Sequence, residues 1–252
     1  MLLAIDVGNT NTVLGLFDGE VLSHSWRVKT DAHSTADELA LTFRGLLAGA
    51  GEVTGIALCS TVPSVLRELR TMLAGYYADL HTVIVEPGTK TGVPVLTDNP
   101  KEVGADRIVN TLAAHHLVGG SAIVVDFGTS TNFDVVSAAG EFLGGALAPG
   151  IEISLEALAS RAAQLRKVEL VAPRSVIGKN TVESLQSGVL FGFAGQVDGL
   201  VRRILVELGT SDVAVIATGG LAPIVLGLSE TITRHEPDLT LIGLRLVFDR
   251  NP

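Results

Sequence analysis

The chain carries one cysteine, Cys59, which excludes an intrachain disulfide and fits a reducing compartment. Flanked by "IAL" and "STV", it reads as a small core residue. Aromatic residues are scarce at 4 %, and Trp26 reads as packing on a sheet. No stretch reaches the ~18 apolar residues of a membrane span. The opening "MLLAIDVG" lacks a basic region and a cleavage site, and Asp6 interrupts it at once, so no signal peptide is expected. A cytoplasmic protein with no membrane partner is the expectation. Lys and Arg number 18 against 27 Asp and Glu, a net charge of −9 without long blocks of either sign. That excludes nucleic acid held on a basic face. The phosphate loop G-x-x-x-x-G-K-[ST] and the dinucleotide signature G-x-G-x-x-G between strand and helix are both missing. Six histidines, among them His115 and His116, show no metal-ligand spacing with acids or Cys.

Glycine, by contrast, is plentiful: 28 of 252 residues, about 11 % against a usual ~7 %. The length suits one large or two small domains. "LLAIDVG", "NTVLGLF" and "EVLSHSWRV" read as three strands, the last two joined by a turn at Asp18-Gly19. "STADELALTFRGLLAG" reads as a helix capped by Ser34 or Thr35. "GIALCSTVP" reads as a buried strand, "SVLRELRTMLAGYY" as a helix begun by Ser64, and "HTVIVEP" as a strand. A Pro/Gly-rich connection follows, and then a helix in "RIVNTLAAHHLVGG".

At residue 121 the pattern restarts. "SAIVVDFGTSTNFDVVSAAGEFLGG" repeats the opening at an offset of 120, with Asp126 in register with Asp6 and Gly128 with Gly8. Two copies indicate two related halves rather than a solenoid. Helices are expected in "ISLEALASRAAQLRKV", from Thr181 through "VESLQSGVLFGFAGQVDGLVRRILVEL", and in "APIVLGLSETI". A strand is expected in "DVAVIATGG", and "LTLIGLRLVF" closes the chain. Strands alternating with helices in both halves define an α/β protein, divided here into 1–115 and 116–252.

A tight turn of the form D-x-G-[NT]-[TS]-[NT] aims backbone N–H groups at one concave side and adds hydroxyl and amide donors for phosphate oxygens. The leading Asp repels phosphate, and a cation bridging the two resolves this. Two such turns facing each other across a cleft would grip a polyphosphate, which points to a nucleotide. A polar hairpin is the alternative for either turn alone. "ATGGLA", with Gly219 and Gly220, follows an apolar strand and precedes a helix; simple packing and contact with adenosine both suit it. In "NPKEVGADR", Gly104 permits close backbone approach. Asp106 suits either a base for an alcohol proton or a cap of the following helix.

Together DVGNTNT (6–12), GADR (104–107), DFGT (126–129), GGALAPG (144–150), GKNT (178–181) and TGG (218–220) resemble the type III pantothenate kinases, along the whole chain and in order. The resemblance implies two ribonuclease H-like domains of the actin-like ATPase kind with a nucleotide cleft between them. It implies ATP-dependent phosphorylation of pantothenate, the first step toward coenzyme A, with Mg and a monovalent cation, K or NH4. Asp6, Val7, Gly8, Asn9, Thr10, Asn11, Thr12 and Val13 would bind the ATP phosphates, Thr129 would contact ATP, and Asp126 would coordinate the monovalent cation. Asp106 would accept the hydroxyl proton. Gly104, Ala105, Asp106 and Arg107 would line the pantothenate pocket, and Thr181 would reach it from the partner of a homodimer. Thr181 equally suits an N-cap. Many relatives carry Tyr where this chain has Thr97, so that contact is either lost or made by a shorter hydroxyl. The departure motivates an alternative, a nucleotide-binding regulatory protein of the same fold whose turnover has lapsed.

Overall fold

The computed structural model describes residues 1–161 and 168–252. They form two compact units. The first comprises Met1–Val93, Asp98–Ala113 and Leu239–Pro252, and the second Pro94–Thr97 and Ala114–Asp238. A division at 115/116 therefore differs in three places: the last 14 residues return to the first unit, and Pro94–Thr97 and residues 114–115 belong to the second.

In the first unit, β1 (Leu2–Val7), β2 (Asn11–Asp18), β3 (Val21–Lys29), β4 (Gly55–Ser60) and β5 (His81–Ile84) form a sheet of order β3-β2-β1-β4-β5. The first three strands are antiparallel neighbours, and β4 and β5 run parallel to β1. Gly19 and Glu20 join β2 to β3, and only Gly19 has positive φ (+58°), so the hairpin turns on a Gly in first position.

Alternation assigns each face. Leu3, Ile5, Val7, Leu14, Leu16, Ile56 and Leu58 meet α1 (Ala36–Leu47) and α2 (Pro63–Tyr76) through Phe43, Leu69 and Met72, all almost fully buried. Each such side chain contributes about 1.5–3 kcal/mol on burial. Thr35 caps α1 with a full capping box: the Glu38 N–H donates to its hydroxyl, and the Glu38 carboxylate accepts its N–H. For α2 the expected cap differs. The helix starts at Pro63 behind Val62, one residue before Ser64, because proline's fixed φ and missing N–H suit the first helical position.

On the opposite face Ala4, Phe17, Ala57, Cys59 and Val83 meet Val109 and Leu112 of α3 (Ala105–Val118) and Leu241, Leu244 and Val247 of α7 (Leu239–Asp249). The closing apolar segment is thus a helix. It lies close on α3: a Cβ on Gly243 would stand 2.3 Å from the Val109 carbonyl oxygen, and the Thr240 hydroxyl donates to Asn110 Oδ1 at 2.8 Å.

The second unit repeats the plan. Strands β6 (Ala122–Phe127), β7 (Ser130–Val136), β8 (Phe142–Pro149), β9 (Ala214–Thr218) and the two-residue β10 (Arg234–His235) take the order β10-β9-β6-β7-β8. Read from β8, this is the order of the first sheet with the same strand directions. Ile123, Val125, Phe127 and Phe133 pack on Ala194, Val197 and Val201 of α5 (Thr181–Leu208) and on Val225 of α6 (Ala222–Leu226). Here α6 is shorter than the sequence pattern suggests. Before α5 comes α4 (Ile151–Arg161); residues 162–167 of its expected extent lie outside the described residues. Among the described residues no helix is long and apolar enough to cross a membrane.

Candidate active site

Period-two alternation on β1 puts Asp6 on the face of Ala4, toward α3 rather than toward α1 and α2. Parallel pairing sets Cys59 of β4 beside it. The Cys59 thiol donates to Asp6 Oδ1 at 3.4 Å. Asp106, in the first turn of α3, is close enough that its charge acts on Asp6. A Cβ on Gly104 would stand 2.4 Å from Asp106 Oδ1, so only glycine leaves that carboxylate its place. Asp106 sits inside the helix, which begins at Ala105, and the capping of a helix starting at Arg107 does not apply.

The electrostatics follow from this crowding. Burial, then the Asp106 charge, pushes Asp6 up from 3.8 to about 7, against a lowering by the Cys59 hydrogen bond. Asp106 is raised by burial too, opposed by the Arg107 N–H and guanidinium and by its own N–H. Cys59 is held well above the ordinary thiol range by burial and by both carboxylates, and it stays a donor. A carboxylate raised in this way is better matched to taking a proton near neutral pH.

Between β1 and β2 the chain turns through Gly8, Asn9, Thr10 and Asn11. The Gly8 N–H donates to the Asn11 carbonyl at 3.0 Å. Asn9 and Thr10 stand exposed at the tip, whereas Thr12 is buried with its hydroxyl on Thr30 Oγ1. Val7 and Val13 are strand residues flanking the turn.

In the second unit Asp126, next to last in β6, stands beside Thr218 of β9, as Asp6 stands beside Cys59. A Cβ on Gly219 would lie 2.5 Å from Asp126 Oδ1 and 2.6 Å from the Phe127 carbonyl oxygen, and Gly219 has φ +88°. Both facts require glycine there. Gly219→Ala is expected to destabilise the protein by roughly 2 kcal/mol or more, a fall in Tm of about 4 °C or more. An unchanged melting curve would show that Asp126 is not held against this backbone. Thr129 lies in the turn between β6 and β7, and the Gly150 N–H donates to its carbonyl at 3.1 Å. Gly220 follows Gly219 ahead of α6.

The remaining expected residues lie on other elements. Thr97 falls in the second unit and Gly104–Arg107 in the first. The Thr97 hydroxyl is buried with no partner among the described residues. Thr181 is the first residue of α5 and exposed, and the N-cap is Asn180, whose side chain accepts the Glu183 N–H at 2.9 Å. Cys59, Thr30, Thr218 and Gly150 were not singled out as site residues by sequence; register alone carries them to the two turns. No cluster of three or more His, Cys, Asp or Glu fit to hold a metal occurs among the described residues.

Taken unit by unit, the residues of each acid-led turn fit phosphate oxygens with a cation. Glycines 104 and 219 keep space where a Cβ would intrude, an acid leads each turn, and hydroxyl and amide side chains crowd both tips.

The repeated five-strand order, each copy opening on an acid-led hairpin, defines the class: the two-domain α/β fold of actin-like ATPases and ROK sugar kinases. A ROK hexokinase from Thermus thermophilus shares it at TM-score 0.52 and 18 % identity, over 98 % of this chain and 97 % of that one. Within that class, residues 2–203 match the family model described as Type III pantothenate kinase. The type III pantothenate kinase of Frankia alni is 72 % identical over 251 residues, and that of Salinispora arenicola 71 % over 253, each covering 100 % of both chains. The chain belongs to the type III pantothenate kinases.

Proposed function

We propose that this protein transfers the terminal phosphoryl group of ATP to the primary alcohol of pantothenate, giving 4'-phosphopantothenate for coenzyme A synthesis. The supporting observation is Asp106 in the first turn of α3, its carboxyl raised by burial and its charge acting on Asp6, in a chain of this family. Asp106 takes the hydroxyl proton. Arg107, whose N–H and charge act on Asp106, keeps that carboxylate oriented. Gly104 and Ala105 line the same pocket. Bound ATP supplies the phosphoryl group and Mg²⁺ neutralises its charge, so that the chain's own work is positioning.

Asn9, Thr10 and Asn11 offer donors to the phosphates from the first turn, while Thr12 shapes that turn from beneath. Asp126 holds the monovalent cation, Thr129 meets ATP, and Gly219 and Gly220 let the backbone approach adenosine. The protein works in the cytoplasm as a homodimer, with Thr181 reaching the partner's pantothenate. Exposed Val176, Ile177 and Val182 around Thr181 support an interface there.

A coupled assay of ADP formation tests the reading. ADP is expected to appear only with pantothenate present and faster in potassium than in sodium, and Asp126→Ala is expected to abolish the difference between the two ions. Phosphate release from ATP independent of pantothenate would overturn the assignment.

A further inference from the structure

Thr30 lies directly after β3, outside every motif named above, and is 9 % exposed. Three hydrogen bonds fasten it to the first turn. Its N–H donates to the Thr10 carbonyl at 2.9 Å. Its hydroxyl donates to the Gly8 carbonyl at 2.8 Å and lies 2.9 Å from the Thr12 hydroxyl. A hydroxyl has one proton, so Thr12 must be the donor to Thr30. The chain of bonds thus runs from Thr12 through Thr30 to Gly8, across the base of the turn whose tip is Asn9 and Thr10.

The second unit supplies the comparison. Thr12 pairs with Val28, and Thr131 with Ala148; Asn11 pairs with Lys29, and Ser130 with Pro149. Register therefore makes Thr131 the counterpart of Thr12, and Gly150 the counterpart of Thr30. Gly150 reproduces the backbone bond, its N–H on the Thr129 carbonyl. It cannot reproduce the side-chain bonds, since a Cβ there would stand 2.4 Å from the Thr129 oxygen and 2.5 Å from the Gly128 oxygen. Thr131 is fully buried, and its hydroxyl has no partner among the described residues. Its orphaned hydroxyl shows what Thr12 would become without Thr30.

Length explains why one turn carries the strap. Residues 8–11 separate the paired Val7 and Thr12, whereas only 128–130 separate the paired Phe127 and Thr131. The longer turn has more conformations to lose before it can present donors in one arrangement. In the shorter turn the Gly150 backbone itself closes the base.

We propose that Thr30 is a positioning residue for nucleotide binding, holding the first turn in the shape that receives phosphate. The proposal rests on the reading of residues 6–13 as a phosphate turn. The test is titration of a non-hydrolysable ATP analogue with Mg²⁺ into the wild type, Thr30→Val and Thr30→Ser, alongside steady-state kinetics. Thr30→Val keeps the shape and removes the hydroxyl. It is expected to weaken analogue binding and raise the KM for ATP roughly tenfold, with the KM for pantothenate and kcat at saturating ATP within about twofold of wild type. Thr30→Ser is expected to restore ATP affinity. A purely structural role would lower Tm without separating the two KM values, and that result overturns the proposal. So does wild-type ATP affinity in Thr30→Val, or equal loss in Thr30→Ser. If the valine variant does not fold, Thr30→Ala gives the same reading. A wild type that binds the analogue without phosphorylating pantothenate overturns the functional assignment alone, and the titrations still decide Thr30. A wild type that binds no analogue overturns the phosphate-turn reading and this proposal with it.

Discussion

Asp106→Asn is expected to lower kcat about 10²-fold or more while the affinities for ATP and pantothenate stay within a few-fold, the scale of removing a general base. Asparagine fills the same space, so the close approach of Gly104 to this side chain is preserved. It still accepts the Arg107 N–H through its carbonyl oxygen, but it cannot take the alcohol proton. Steady-state kinetics with both substrates varied, together with direct titration, make the measurement. Undiminished turnover would remove Asp106 from the role of base. The same variant has a second readout, because the Asp106 charge is one of the two causes that raise Asp6. Titration of Asp6 should therefore move down in Asp106→Asn.

The second large effect is at Asp6 itself. Asp6→Asn is expected to reduce turnover about 10²-fold or more, because in the proposed function the lost charge is one that attracts a cation carried with the triphosphate. Stability should move the other way. The group titrates at about 7 in the fold against 3.8 ordinarily, so between those values the folded chain holds a proton that the unfolded chain has released. Stability from this residue is therefore complete below about pH 4, falls as pH rises through 7, and stays low above it. Asn carries no such dependence. The variant is expected to exceed the wild type in stability at pH 8 by at most about 4 kcal/mol, less to the extent that water reaches the side chain, and to match it near pH 4. Urea unfolding of both proteins at pH 4, 6 and 8 checks this. A constant difference across that range would mean that Asp6 ionises in the ordinary way.

What could be read from residues alone, and what could not, separates along a physical line. The duplication was legible because Asp6 and Asp126, with Gly8 and Gly128, sit at one offset, at the C-terminal ends of two equivalent strands. Past the turns a gapless offset pairs Thr12 with Asn132, and register pairs it with Thr131 instead. Thr and Asn crowd both turns, so composition does not reveal the extra residue in the first. Cys59 was legible as a core residue, and it is buried. Its bond to Asp6 depends on a parallel pairing 53 residues away in sequence, which no local pattern encodes. The repeat likewise carries no sign that α7 belongs with the first sheet. A helix buried on most of its sides names its environment but not its neighbour. The two residues of β10 are too few to show a period at all.

The return of α7 to the first unit has a consequence for biosynthesis. During translation the amino-terminal sheet is made early, yet the cover for Ala57, Val83 and Leu112 on one side is encoded in Leu239–Asp249. Until Leu239–Asp249 has left the ribosome, only α3 can cover that side of the nascent sheet, and the apolar surface that α7 takes stays open to water. Closure must therefore wait for contacts of very long sequence separation, which slow folding and leave apolar surface accessible to chaperones in the interval.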